Sequence, residues 1–140
     1  MSLDCWGVKG VGIVADRIEP YLDVDKCINL IREQMNDEIV PEKDNFDIRD
    51  YLYGNVFENL GDLLCACDDT NTFTWDGGGN DTPCYFLYPP QYPWECQENE
   101  PDSIQEVHRR IIAAVQKVCN MSESDIEKLI DDDINDVYWG

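Results

Sequence analysis

The sequence predicts an α+β fold: a small antiparallel sheet, built from an N-terminal strand, a central hairpin and a short C-terminal strand, packed with three to five helices. Three observations lead there. A β-rich stretch punctuated by glycine occupies 5–15. Two further β-type runs flank a cluster of turn residues at 76–81. Elsewhere apolar residues recur at three- and four-residue spacing, the period of a helix.

In CWGVKGVGIVA, Trp6 and Val8 share one phase of the strand alternation while Val11 and Ile13 share the other. A bulge at Gly10 is expected from that shift. A helix follows over 24–36, where Val24, Cys27, Ile28, Ile31 and Met35 form one face. Asp23 or Asp25 suits its N-terminus, and Pro41 ends whatever remains of it. Further on, Tyr51, Leu52, Val56, Phe57, Leu60, Leu63 and Leu64 predict one or two short helices, broken at Gly54 and Gly61.

TFTW (72–75) and CYFLY (84–88) read as strands. Between them Asp76, Gly77, Gly78, Gly79, Asn80 and Asp81 tolerate positive φ, so a tight hairpin turn is expected. The prolines of PPQYPWE then close the second run. The clearest helix covers 103–118, with Ser103 and Glu106 as a capping box and Ile104, Val107, Ile111, Ala114, Val115 and Val118 on one face. Another begins at Ser122, where Met121 is placed to staple onto Ile126. VYW (137–139) reads as the closing strand. Without repeats or an evident linker, 1–140 reads as a single acidic domain. A chain of this length buries roughly 68% of its unfolded surface, so it needs no disulfide or metal to fold.

Charge is the strongest functional signal. Thirty acids against ten bases give a net charge of −20. Self-repulsion on that scale weakens the compact state, so another advantage has to favour keeping it. It disfavours direct binding to nucleic acid and to anionic lipid, and it favours basic protein surfaces. From Asp50 to His108 there is no Lys or Arg, and from Glu123 to Asp136 only Lys128. One-signed faces are therefore expected. Halophilic proteins are acid-rich too, but this chain keeps seven cysteines and many bulky apolar residues.

An odd number of cysteines, several in core-like positions, predicts reduced thiols. MSLDCWGVKG does not resemble a signal peptide, and no apolar run approaches the ~20 residues of a membrane span. The expectation is a soluble, cytoplasmic protein with no membrane partner.

Motifs for catalysis and cofactors are weak. The glycines at 77–79 lead into Asn-Asp-Thr-Pro with no base nearby, so they do not cradle a phosphate. Asp68, Asp69, Asp76, Asn80 and Asp81 are oxygen ligands in kind, but their spacing is not that of a calcium loop. Cys65 and Cys67 form a close pair, while Cys84 and Cys96 stand apart and the chain has a single histidine, which is thin support for zinc. That histidine, His108, follows the core position Val107 and is placed on the helix flank. No catalytic residue, cofactor or metal is expected, and the protein is read as a non-enzyme.

The functional expectation is an acidic interaction protein that binds a basic surface, such as that of a nucleic-acid-binding enzyme, by mimicking nucleic acid. In size and composition the chain resembles phage and mobile-element inhibitors of restriction and CRISPR nucleases, though no motif identifies a family. Candidate contacts are Asp68, Asp69, Asp76 and Asp81 around the hairpin and Asp131, Asp132 and Asp133, read as a solvated helix end. The alternative is an accessory protein, cytosolic or prophage-borne, that binds its partner through the aromatic segment 85–94, with Tyr88, Tyr92 and Trp94 as anchors.

Overall fold

The computed structural model describes residues 5–35, 60–68, 72–77, 83–89, 101 and 103–139. Among them, four strands form one antiparallel sheet in the order β2-β3-β1-β4: β1 (Cys5–Val14), β2 (Thr74–Gly77), β3 (Cys84–Tyr88) and β4 (Asp131–Trp139). Five α-helices accompany them: α1 (Ala15–Ile18), α2 (Val24–Met35), α3 (Leu60–Cys67), α4 (Ile104–Gln116) and α5 (Glu123–Glu127). A 3-10 turn spans Glu19–Tyr21. The α+β architecture is the one the sequence predicts. No helix of the described residues is long and apolar enough to cross a membrane.

β1 is shared between partners. Its Val11–Val14 half pairs with β3, and its Cys5–Gly10 half pairs with β4. Alternation then sends Ile13 to one face, where it packs with Phe86 and the helices, and Val8 to the other, with Tyr85, Leu87 and Ile134. The two apolar phases of the sequence are thus the two faces of a central strand, not one face interrupted. A register irregularity does occur between Gly10 and Gly12, but the extra residue lies on β4, where Asp132 and Asp133 oppose Val11. Gly10 adopts φ 150°, and a Cβ there would collide with the Tyr88 carbonyl oxygen.

The helices pack on one face. Asp23 Oδ1 accepts the Lys26 N–H at 3.1 Å and caps α2, whose Cys27 and Ile28 are buried. Lys26 Nζ donates to the carbonyls of Gln116 and Cys119, each at 2.9 Å, and so caps the C-terminal end of α4 with a cation. In α4, Val107, Ile111, Ala114 and Val115 are buried, with Val118 just beyond its end, whereas Ile104 in the first turn is exposed. Ser103 Oγ accepts the Glu106 N–H at 3.2 Å. The capping box is only half made, because the Glu106 carboxylate turns to Arg109 and Arg110. Ser122 caps α5 through the Asp125 N–H at 3.1 Å, and Met121 packs on the core that includes Ile126. Gly61, expected as a break, is the second residue of α3 and is buried, and the Trp75 ring occupies the space a side chain would need; Gly54 lies outside the described residues.

The largest difference from expectation is at the C-terminal end. Asp131, Asp132 and Asp133 open a nine-residue strand and do not terminate a helix. α5 stops at Glu127, and the chain from Asp131 onward gains ladder hydrogen bonds from the free side of β1. Pairing with a distant strand outweighs the poor β propensity of three aspartates.

Candidate functional site

The sheet separates the candidate contact residues. β2 and β4 are opposite edges, three strand spacings apart, roughly 14 Å. On the β2 side Asp68 Oδ2 accepts the N–H groups of Thr72 and Phe73 at 2.8 and 2.9 Å, tying the end of α3 to the residues just before β2. Asp76 pairs with Tyr85 and is half-buried on the face away from the helices. Asp69, Asp81, Tyr92 and Trp94 lie outside the described residues. Tyr88 meets the Phe73 ring edge-on, with centroids 6.0 Å apart, and is half-buried against the core rather than standing free as an anchor.

On the β4 side the acids stand in solvent. Glu123, Asp125 and Glu127 of α5 are exposed, as are Asp131, Asp132 and Asp133. β4 is an edge strand paired with β1 alone among the described strands. Charge on an edge discourages indiscriminate strand pairing. Asp131 Oδ1 accepts the Asp133 N–H at 2.9 Å, which holds the bulge in shape.

That bulge brings Asp132 to α4. There His108 lies between two carboxylates: Nδ1 meets Glu127 of α5 and Nε2 meets Asp132 of β4. One ring ties three elements together. Burial disfavours the imidazolium, but its hydrogen bonds to Asp132 and Glu127 outweigh that, and the His108 pKa is raised above its ordinary 6.5. The sequence placed His108 on the helix flank correctly. It held no sign of the two partners, which sit 19 and 24 residues away on other elements.

A second polar link crosses the far face of the sheet. Tyr85 Oη donates to Asp136 Oδ2 at 2.5 Å, joining β3 to β4 over the top of β1. Burial, and then the Asp136 carboxylate, push the phenol up to about 12, so it stays a donor at neutral pH. Neighbouring α4 carries its own ion pairs, in which hydrogen bonds from Arg109 and Arg110 hold the Glu106 carboxyl down to about 2.

Three of the described thiols are poor nucleophiles. Burial pushes Cys27 and Cys119 up to about 12 and raises Cys84 as well, so each remains protonated. Among the described residues no three His, Cys, Asp or Glu side chains converge as a metal site. Comparison with known protein families, with curated proteins and with solved structures gave no match.

Proposed function

We propose that the protein is a non-enzymatic, acidic interaction protein whose C-terminal edge docks on a basic protein surface, of the kind that nucleic-acid-processing enzymes present to phosphates. One observation carries the reading: exposed Glu127 of α5 and exposed Asp132 of β4 meet at the His108 ring, in a stretch where Lys128 is the sole base between Glu123 and Asp136. A basic groove built for phosphates can accept carboxylates presented together on one surface. Acting this way, the protein inhibits its partner by occupying the nucleic-acid path, as phage-borne inhibitors of restriction and CRISPR nucleases do.

Two features of the site support a binding role over catalysis. Each nitrogen of His108 already faces a carboxylate, so neither is open to a substrate proton. The protonated thiols of Cys27, Cys84 and Cys119 offer no thiolate. Of the aromatic segment 85–94, Tyr85, Phe86 and Leu87 are core and Tyr88 packs on Phe73, while Tyr92 and Trp94 lie outside the described residues.

The test is a pull-down from nuclease-treated bacterial lysate with the wild type and with the triple variant Asp131→Asn, Asp132→Asn, Asp133→Asn, eluted by a salt gradient. The reading expects a nucleic-acid-processing enzyme that elutes as salt rises, is displaced by added nucleic acid and is lost with the variant. Partners that ignore salt, nucleic acid and the three substitutions would sink it.

A further inference from the structure

The acidic rim contains its own competing cation. His108 is sheltered, with 16% of its side chain exposed, while Glu127 and Asp132 are 48% and 59% exposed. A ligand therefore reaches both carboxylates more readily than the ring. Resting on the reading of the rim as a docking surface, we propose that His108 is a proton-operated clasp that holds Glu127 and Asp132 away from a basic partner and yields them when it loses its proton.

The chemistry follows from the donor inventory. As imidazolium, His108 donates from both nitrogens and satisfies a carboxylate on each side. As neutral imidazole it keeps one N–H, and the other nitrogen turns a lone pair toward a negative oxygen. One contact then becomes repulsive. The two carboxylates also lose the positive charge between them, and a partner's Lys or Arg can take its place. The charged groups around the ring are Glu123 and Glu127 on α5, Asp132 on β4 and Arg109 on α4, and Arg109 is itself engaged with Glu106. Lys9 of β1 lines the cleft on the other side of Asp132. Acids predominate, so the neighbourhood favours the protonated ring.

The direction with pH is fixed by the raised pKa. The clasp is complete below 6.5, the ordinary imidazole value, and is lost as pH rises through the higher folded-state value. Partner affinity moves the opposite way, rising over the same interval. Reciprocity requires that a cation bound to the rim lower the His108 pKa.

The experiment follows the His108 ring by NMR from pH 5 to pH 9 on the full chain, with and without an oligolysine peptide as probe. The free protein is expected to titrate above the ordinary imidazole value, with a lower midpoint in both Asp132→Asn and Glu127→Gln. Oligolysine is expected to lower the wild-type midpoint, and its affinity to rise about fivefold across the transition, the lower end of ordinary coupling between sites. His108→Gln should bind the peptide with no pH dependence in that interval. A midpoint unmoved by either substitution would overturn the clasp. A midpoint that responds to the substitutions but not to bound peptide would overturn its control of the rim. Because the titration of the free protein needs no partner, it separates failure of the clasp from failure of the docking reading.

Discussion

At one edge of the sheet β2 is four residues long, and the acid that leads into it, Asp68, turns Oδ2 toward the backbone N–H groups of Thr72 and Phe73. At the other edge β4 is nine residues long and sets Asp131, Asp132 and Asp133 in solvent. In sequence both are acidic runs of much the same kind. In the fold, Asp68 accepts two backbone N–H groups in a part-buried setting, whereas Asp131, Asp132 and Asp133 stay exposed even where Asp131 accepts the Asp133 N–H and Asp132 meets His108. Acid content therefore says little until each carboxylate is assigned its neighbours, and the contrast can be broken or sharpened by substitution.

The largest effect comes from the strand that joins the two edges. Gly12 is buried opposite Leu87, and a Cβ there would run into the Phe86 carbonyl. Gly12→Ala should cost about 3 kcal/mol or more, because the obstacle is backbone and cannot rotate away. Denaturant unfolding will read it, and a cost under about 1 kcal/mol would mean the strands are not so closely apposed. Next is Asp68→Ala, which strands two backbone donors and should cost about 2 kcal/mol in the same assay. Tyr85→Phe removes the donor to half-buried Asp136 and should cost about 1 kcal/mol. The double variant Asp131→Asn, Asp133→Asn keeps the short acceptor geometry while removing charge, and its stability should lie within about 0.5 kcal/mol of wild type. Equal costs at Asp68 and at the β4 pair would erase the distinction between the edges.

A smaller effect should appear in acid. The Glu106 carboxyl is held low by Arg109 and Arg110, so the stability it adds is present above 4.5 and is lost as pH falls toward 2. Glu106→Gln should flatten that part of the acid-unfolding curve, and an unchanged curve would show that the arginines do not hold the carboxyl.

Features written in neighbouring residues were legible in the sequence. The periodicity of 103–118, the serines that cap α4 and α5, and the β runs on either side of the glycines each depend on a short window, and each has its counterpart in the fold. The site was less legible because it is made by distant pairings. β4 is a strand because β1 offers it a ladder more than a hundred residues away, so the Asp131–Asp133 run resembled a frayed helix end. Likewise His108, Glu127 and Asp132 share no local spacing pattern, and only the packing of α4, α5 and β4 brings them together. The reason for a glycine at 61 was hidden in the same way, since the ring that requires it belongs to Trp75 of β2.

The central claim is that the rim of α5 and β4, and not the acid content of the chain at large, receives a basic partner. The most direct measurement is a backbone NMR titration of the whole protein with an oligolysine peptide at moderate salt. The account predicts saturable shifts concentrated in 123–136 that fade when Asp131, Asp132 and Asp133 are changed to Asn. Shifts spread evenly over acids throughout the chain, or centred on Asp68 and Asp76, would contradict it.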